Sequence, residues 1–295
     1  MNDAKGTRGH EHVVEIDAPI ADVWRAITEA EEVTRWYVVE AEIDDHVGGT
    51  YRVSWGEGMD GMSDITAIEK ERHFRVAHRP MPGAPEIATG PIVEEYFLER
   101  GDDGRTVLRL VTSGIPDTDD WDWFYEGTKR GWTIFMLSLR HYLERHPGTP
   151  REQFVEMVGL PGSRESAWTR MMGDEGLALG PDLEGAAAGS AISATTAFGE
   201  ELEGEVLLID PPYRLLSTVG GLNDGLLGVT IERMGPSNIL YLSLSTFGLD
   251  GATVDDIRER WGAWLSGLFP QGEPPAEAFE AMITDPGATA GPDAG

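Results

Sequence analysis

Apolar side chains recur at helical spacing through residues 127–146. Trp132, Phe135, Met136, Leu139 and Leu143 share one face, and Thr128, Lys129, Arg140, Glu144 and Arg145 the other. The pattern predicts one long amphipathic helix, stopped by Pro147-Gly148. It returns over residues 253–269, where Trp261, Trp264, Leu265 and Leu268 keep the spacing of Trp132, Phe135, Met136 and Leu139. Two closing helices of one design imply two copies of one unit.

Ahead of the first such helix the period changes from helical to alternating. Residues 10–17 read as a strand, then Ala18-Pro19 opens a helix that buries Val23, Trp24 and Ile27. A second short helix ends near Trp36. Strands follow at 38–43, 50–55, 64–69, 72–78, 92–100 and 105–113. Gly48-Gly49 makes a turn, the glycine-rich stretch 56–61 a hairpin loop, residues 101–104 another hairpin, and 116–122 an acidic loop. The second copy begins with a strand at 151–158 and a helix capped by Ser163, with Trp168 in the place of Trp24. A loose Gly/Ala/Asp segment spans 173–189. Strands at 191–198, 203–209, 213–219, 228–233 and 239–247 lead to the closing helix. The expected fold class is α+β, with each unit an antiparallel sheet curved around a long C-terminal helix. The expected domains are 10–148 and a degenerate copy at 149–270, between a flexible N-terminus at 1–9 and a disordered acidic tail at 271–295. A sheet covered by a single helix leaves concave space, so a cavity between helix and sheet is expected.

Charge and composition narrow the partners. The chain has 295 residues and a formal net charge of −29. The first 148 residues carry 29 acids and 16 bases and the remainder 23 and 7, so both halves are acidic. Such a field repels phosphate backbones and anionic lipid, which argues against nucleic acid and membrane surfaces as partners. There are no cysteines, which removes disulfides, thiolate chemistry and sulfur-ligated zinc. The N-terminal residues contain no apolar signal region and no run reaches membrane-spanning length, so the protein is expected to stay in the cytoplasm. No nucleotide-binding or hydrolase motif is present, and no cofactor or metal is expected. The second unit has no His, Lys or Cys. Its general bases are limited to carboxylates, so it is expected to support or bind rather than catalyse, with Trp261 and Trp264 serving packing.

The run Ala18-Pro19, Val23-Trp24, Ala26-Ile27-Thr28, Trp36, Gly48-Gly49-x-Tyr51, Arg105-Thr106-x-Leu108-x-Leu110, then Gly131-Trp132, Leu139 and Tyr142-Leu143 resembles the homologues of the activator of the heat-shock-protein-90 ATPase. These belong to the SRPBCC, or START-like (Bet v 1-like), superfamily. The resemblance covers residues 10–146 and implies a helix-grip fold with an apolar ligand cavity. In the second unit Asp210-Pro211-Pro212-Tyr213-Arg214-Leu215 resembles the family's turn into its central strand.

Candidate site residues follow from the alternation. Trp36, Trp55, Trp132, Phe135 and Met136, with Trp121 and Trp123 at the mouth, would line an aromatic cavity. Met59 and Met62 would cover it. His78 falls on the face of Phe74 and Val76, and Glu94 on that of Tyr96 and Leu98, so both are expected inward, where they could move protons. The competing readings are a hydrogen-bonded core histidine and a register shifted by one residue, which would turn Glu94 outward. Arg109 is expected in solvent. His10 and His12 have the alternate spacing of a metal pair but lack a third ligand nearby, and read as ordinary strand residues. The favoured role is a non-catalytic, cofactor-free binder of a small apolar molecule. The alternatives are a polyketide aromatase/cyclase-like enzyme using His78 and Glu94, as some superfamily members are, and a chaperone-partner module working through its surface. A protein partner or a homodimer belongs to the last of these.

Overall fold

Strand β1 (Thr7–Ile16) is an edge strand that pairs antiparallel with β7 (Thr106–Pro116), the last strand of the first unit. Between them come α1 (Ile20–Thr28), α2 (Ala30–Thr34), β2 (Glu40–Ile43), β3 (Thr50–Ser54), β4 (Asp60–Glu69), β5 (His73–His78) and β6 (Val93–Arg100). The sheet order is β1-β7-β6-β5-β4-β3-β2, antiparallel throughout. Helix α3 (Asp122–Arg145) then closes the unit. This is a computed structural model. It describes residues 6–56, 60–80, 90–101, 103–160, 162–234, 237–270 and 272. Met59, the start of the chain through residue 5 and nearly all of the tail from residue 271 lie outside the described residues.

The chain divides after Thr149 into two units. The second repeats the plan with β8 (Arg151–Leu160), α4 (Arg164–Met172), α5 (Gly180–Leu183), β9 (Ala191–Thr195), β10 (Glu201–Asp210), β11 (Arg214–Val219), β12 (Gly225–Met234), β13 (Ser237–Phe247) and α6 (Gly251–Leu268). Its order, β8-β13-β12-β11-β10-β9, is that of the first sheet without a counterpart to β2 among the described residues. The architecture is therefore α+β, two helix-grip units in tandem.

Local chemistry accounts for the boundaries. Pro19 precedes the first turn of α1, where its missing N–H costs nothing. Ser163 accepts the Ser166 N–H and Asp250 the Thr253 N–H, capping α4 and α6. Gly49 sits where a Cβ would lie 2.2 Å from the Asp44 carbonyl oxygen, so the turn into β3 demands glycine.

Three expectations are corrected. Thr7, Arg8 and Gly9 belong to β1, held by pairing with β7, and not to a flexible end. Helix α3 starts five residues before 127: Gly127 and Gly131 weaken the helical signal, but Trp121 at its start buries against Ile92 and Ile115 and stabilises the first turns. The loose stretch 173–189 contains α5 and delivers Leu177, Leu179 and Leu183 to the core.

Candidate functional site

Glu94 is one of two buried carboxylates among the described residues of the first unit, the other being Glu32. Glu94 points inward from β6 in alternation with Tyr96 and Leu98, as the strand period requires, and is 8% exposed. A carboxylate loses hydration there and needs donors. Trp132 on α3 donates its indole N–H to Glu94 Oε1 at 3.0 Å. The Tyr96 hydroxyl donates to Oε2 at 3.4 Å. His78, inward from the end of β5, brings its Nε2 within 3.4 Å of Oε1. Burial pulls the His78 imidazole toward neutrality, but the charge and the hydrogen-bonding pull of Glu94 together outweigh it and hold its pKa above the ordinary histidine value. Burial, and after it the same charge, pushes the phenols of Tyr37, Tyr51 and Tyr96 up, so all three stay protonated.

Register brings two further side chains into line. His10, Thr112 and Glu94 are direct cross-strand partners on β1, β7 and β6, and all three are buried. Thr112 Oγ1 has no hydrogen-bond partner, nor does His78 Nε2 at hydrogen-bonding geometry. His10 is fully engaged. Its Nε2 lies 3.1 Å from Thr128 Oγ1, which itself donates to the Phe124 carbonyl at 2.7 Å, so His10 Nε2 carries the proton. Its Nδ1 then accepts from His12 Nε2 at 3.2 Å. Burial, with help from His12, lowers the His10 pKa to about 4. Both ring nitrogens being committed, His10 and His12 form a hydrogen-bonded pair and not a metal pair.

The expected aromatic residues divide into two groups. Trp132 and Met136 are buried on the inner face of α3, with Phe135 half-buried beside them. They meet Trp36 and Trp55 through Tyr37, which sequence reasoning passed over. Tyr37 stacks on Trp132 and on Trp36, each at 5.1 Å, and meets the rings of Trp55 and Phe135 edge-on at 5.2 and 4.7 Å. These rings therefore pack on one another. Trp36 is a core residue whose indole N–H is committed to the Ala26 carbonyl at 2.7 Å. Trp121 is not at a mouth. It is buried with Ile92 and Ile115 in a separate cluster flanked by Phe124, whose ring Trp123 meets edge-on. Met62 points away from the core, 40% exposed, with its sulfur against Arg79. It lies opposite in parity to the inward Ser63 and Ile65, so it does not cover the site. Arg109 is half-buried, beside Glu11 and over the Phe97 ring.

The second unit has the same helix and sheet without the carboxylate. The inward residues of β12, the strand in the place of β6, are Leu227, Val229 and Ile231. Trp261 on α6 is fully buried and its N–H has no partner.

Residues 17–144 match the family model described as Activator of Hsp90 ATPase homolog 1-like protein. That stretch, in the first unit, resembles these activator homologues. The Aha1 dimer from Colwellia psychrerythraea is 21% identical, with a TM-score of 0.41 over 48% of this chain and 99% of its own. The di-domain ARO/CYC BexL from the BE-7585A biosynthetic pathway is 14% identical, with a TM-score of 0.42 over 96% of each chain. DynU16, from the dynemicin biosynthetic locus, is 19% identical, with a TM-score of 0.39 over 89% of this chain and 96% of its own. A comparison with curated proteins finds no match. No helix among the described residues is long and apolar enough to cross a membrane.

Proposed function

We propose that the first unit binds a small, mainly apolar molecule and receives its one polar group at Glu94. The observation that supports this is an unpartnered buried hydroxyl, Thr112 Oγ1, beside a buried carboxylate. Native interiors leave few such atoms without reason, and a ligand hydroxyl or carbonyl would satisfy this one. The surrounding rings supply the apolar contact. Nile red, a neutral apolar dye with one carbonyl, is the probe. It should bind the full chain and quench Trp fluorescence, and Thr112→Val, which removes a donor to the dye's carbonyl, or Phe135→Ala, which removes ring contact, should weaken it. Unchanged affinity in both variants, with folding preserved by circular dichroism, would remove the site from the first unit.

The buried His78–Glu94 pair favours a second reading, an aromatase/cyclase-like enzyme that moves protons on a reactive chain held against the same rings. His78 would be the acid and Glu94 the base. Turnover of a poly-β-ketone substrate that is lost in both His78→Gln and Glu94→Gln would favour the enzyme. Binding without turnover would favour the carrier.

A further inference from the structure

The second unit contains a cleft that its expected packing role does not use. It has a volume of about 510 Å³, within the range of small-molecule sites. One wall is aromatic: Phe198, just after β9, and Trp264 on α6 lie 4.8 Å apart with their planes inclined by 32°. Trp264 is half-buried, and its N–H is committed to the Glu175 carbonyl at 3.3 Å. The indole is thereby held with its edge tied back. Ala263 and Gly267, one turn apart on α6, leave the space open, and Leu268 closes the apolar end. Trp264 was expected to pack; it does pack against the core cluster, beside the fully buried Trp261, and its outer side lines this cleft.

Two arginines of the unit's seven stand at the cleft, in a unit without lysine or histidine. Their situations differ. Arg260 is engaged by Glu200 and Asp256. Arg170 on α4 lies over the Phe269 ring, 5.8 Å from its centroid, and its nearest acid among the described residues is Glu175, 3.9 Å away and itself 81% exposed, which is too far for a hydrogen bond. Its planar fork of N–H donors is free to take a carboxylate in two parallel hydrogen bonds.

We infer that this cleft is a second ligand site, and that it takes a flat aromatic molecule carrying a single carboxylate. The ring would stack on Trp264 and Phe198 and the carboxylate would meet Arg170. One negative charge is the limit, because Glu175, Glu200 and Asp256 surround the two arginines and would repel a phosphate or a second carboxylate. The site is independent of the Glu94 centre, which lies in the other unit.

The test is calorimetric titration of the full chain with a naphthoate and with the matching neutral naphthamide. Saturable binding of naphthoate is expected, with naphthamide about tenfold weaker. Arg170→Gln should weaken naphthoate by about tenfold and leave naphthamide unchanged. Because Arg170 is half-exposed, this variant should fold normally. Trp264→Leu should weaken both ligands, and Glu94→Gln neither. Absence of saturable binding, equal binding of acid and amide, or full affinity in Arg170→Gln would overturn the proposal. So would loss of binding in Glu94→Gln alone, which would place the ligand in the first unit.

Discussion

Trp132 and Trp261 are each buried on the closing helix of their own unit, yet only Trp132 has an acceptor for its N–H. Replacing each by Phe removes similar volume, but only Trp132→Phe strips a donor from a buried carboxylate. Trp132→Phe should therefore destabilise by about 1–3 kcal/mol more than Trp261→Phe in urea denaturation. Equal costs would mean that Glu94 does not depend on the indole. The two buried histidines give opposite pH dependences. His78 has a folded pKa above its unfolded value of 6.5, so its contribution is complete below pH 6.5 and is lost as pH rises through the folded pKa. His10 has a folded pKa of about 4, so the unfolded chain takes up its proton first, and stability falls as pH drops from 6.5 toward 4. His12 and Lys129 hold His10 down, and Glu94 opposes them. Denaturation midpoints across that range should lose their acid-side slope in His10→Gln and their neutral-side slope in His78→Gln. Identical profiles in the two variants would show that neither histidine is perturbed as described.

At the scale of elements, the first two turns of α3 are attached to β1 by side chains, whereas the rest of the helix rests on the core. Arg8 pairs with Asp122 at 2.5 Å and covers the Tyr125 ring at 4.4 Å, and His10 reaches Thr128. Glycines at 127 and 131 lower the intrinsic preference of this segment for helix. Arg8→Ala should therefore speed amide exchange over residues 122–129 and leave residues 139–145 protected, with a global cost of no more than about 1 kcal/mol. Uniform loss of protection along α3 would show that the helix moves as one body. The far end of the helix is tied differently. The Tyr142 hydroxyl donates to buried Glu32 at 2.6 Å and accepts the Gly148 N–H at 3.0 Å, joining α2, α3 and the turn beyond it. That network keeps the C-terminal half of α3 in place when its N-terminal half loosens.

For the molecule as a whole, charge is the dominant property. Both units are acidic, and the total of −29 makes the folded chain repel itself. Screening by monovalent salt should raise the thermal midpoint, most steeply at low ionic strength where the Debye length is longest. A midpoint insensitive to salt would mean that the surface ion pairs offset the repulsion. The same screening should weaken naphthoate at Arg170 and leave Nile red in the first unit nearly unaffected, since only the former is held by charge.

How much of this was legible without coordinates depended on whether the signal was local. The alternation along 92–100 placed Glu94 with Tyr96 inward, and that along 72–78 did the same for His78, because a strand's period assigns faces from sequence alone. The spacing of Trp132 and Trp261 likewise announced two closing helices, and Ser163 was legible as the cap of α4. What sequence could not determine was which rows of different strands coincide. His10, Thr112 and Glu94 lie about a hundred residues apart or nearly twenty from one another, and only the pairing of β1, β7 and β6 makes them neighbours. The same limit explains Trp36 and Trp121. An indole's type and helical position do not say whether its ring meets space or another ring, and here packing decided for the core. The cleft at Trp264 was hidden for the converse reason. Its period is that of a core residue, but Phe198, Ala263 and Arg170 come from three segments whose arrangement alone leaves the indole partly uncovered.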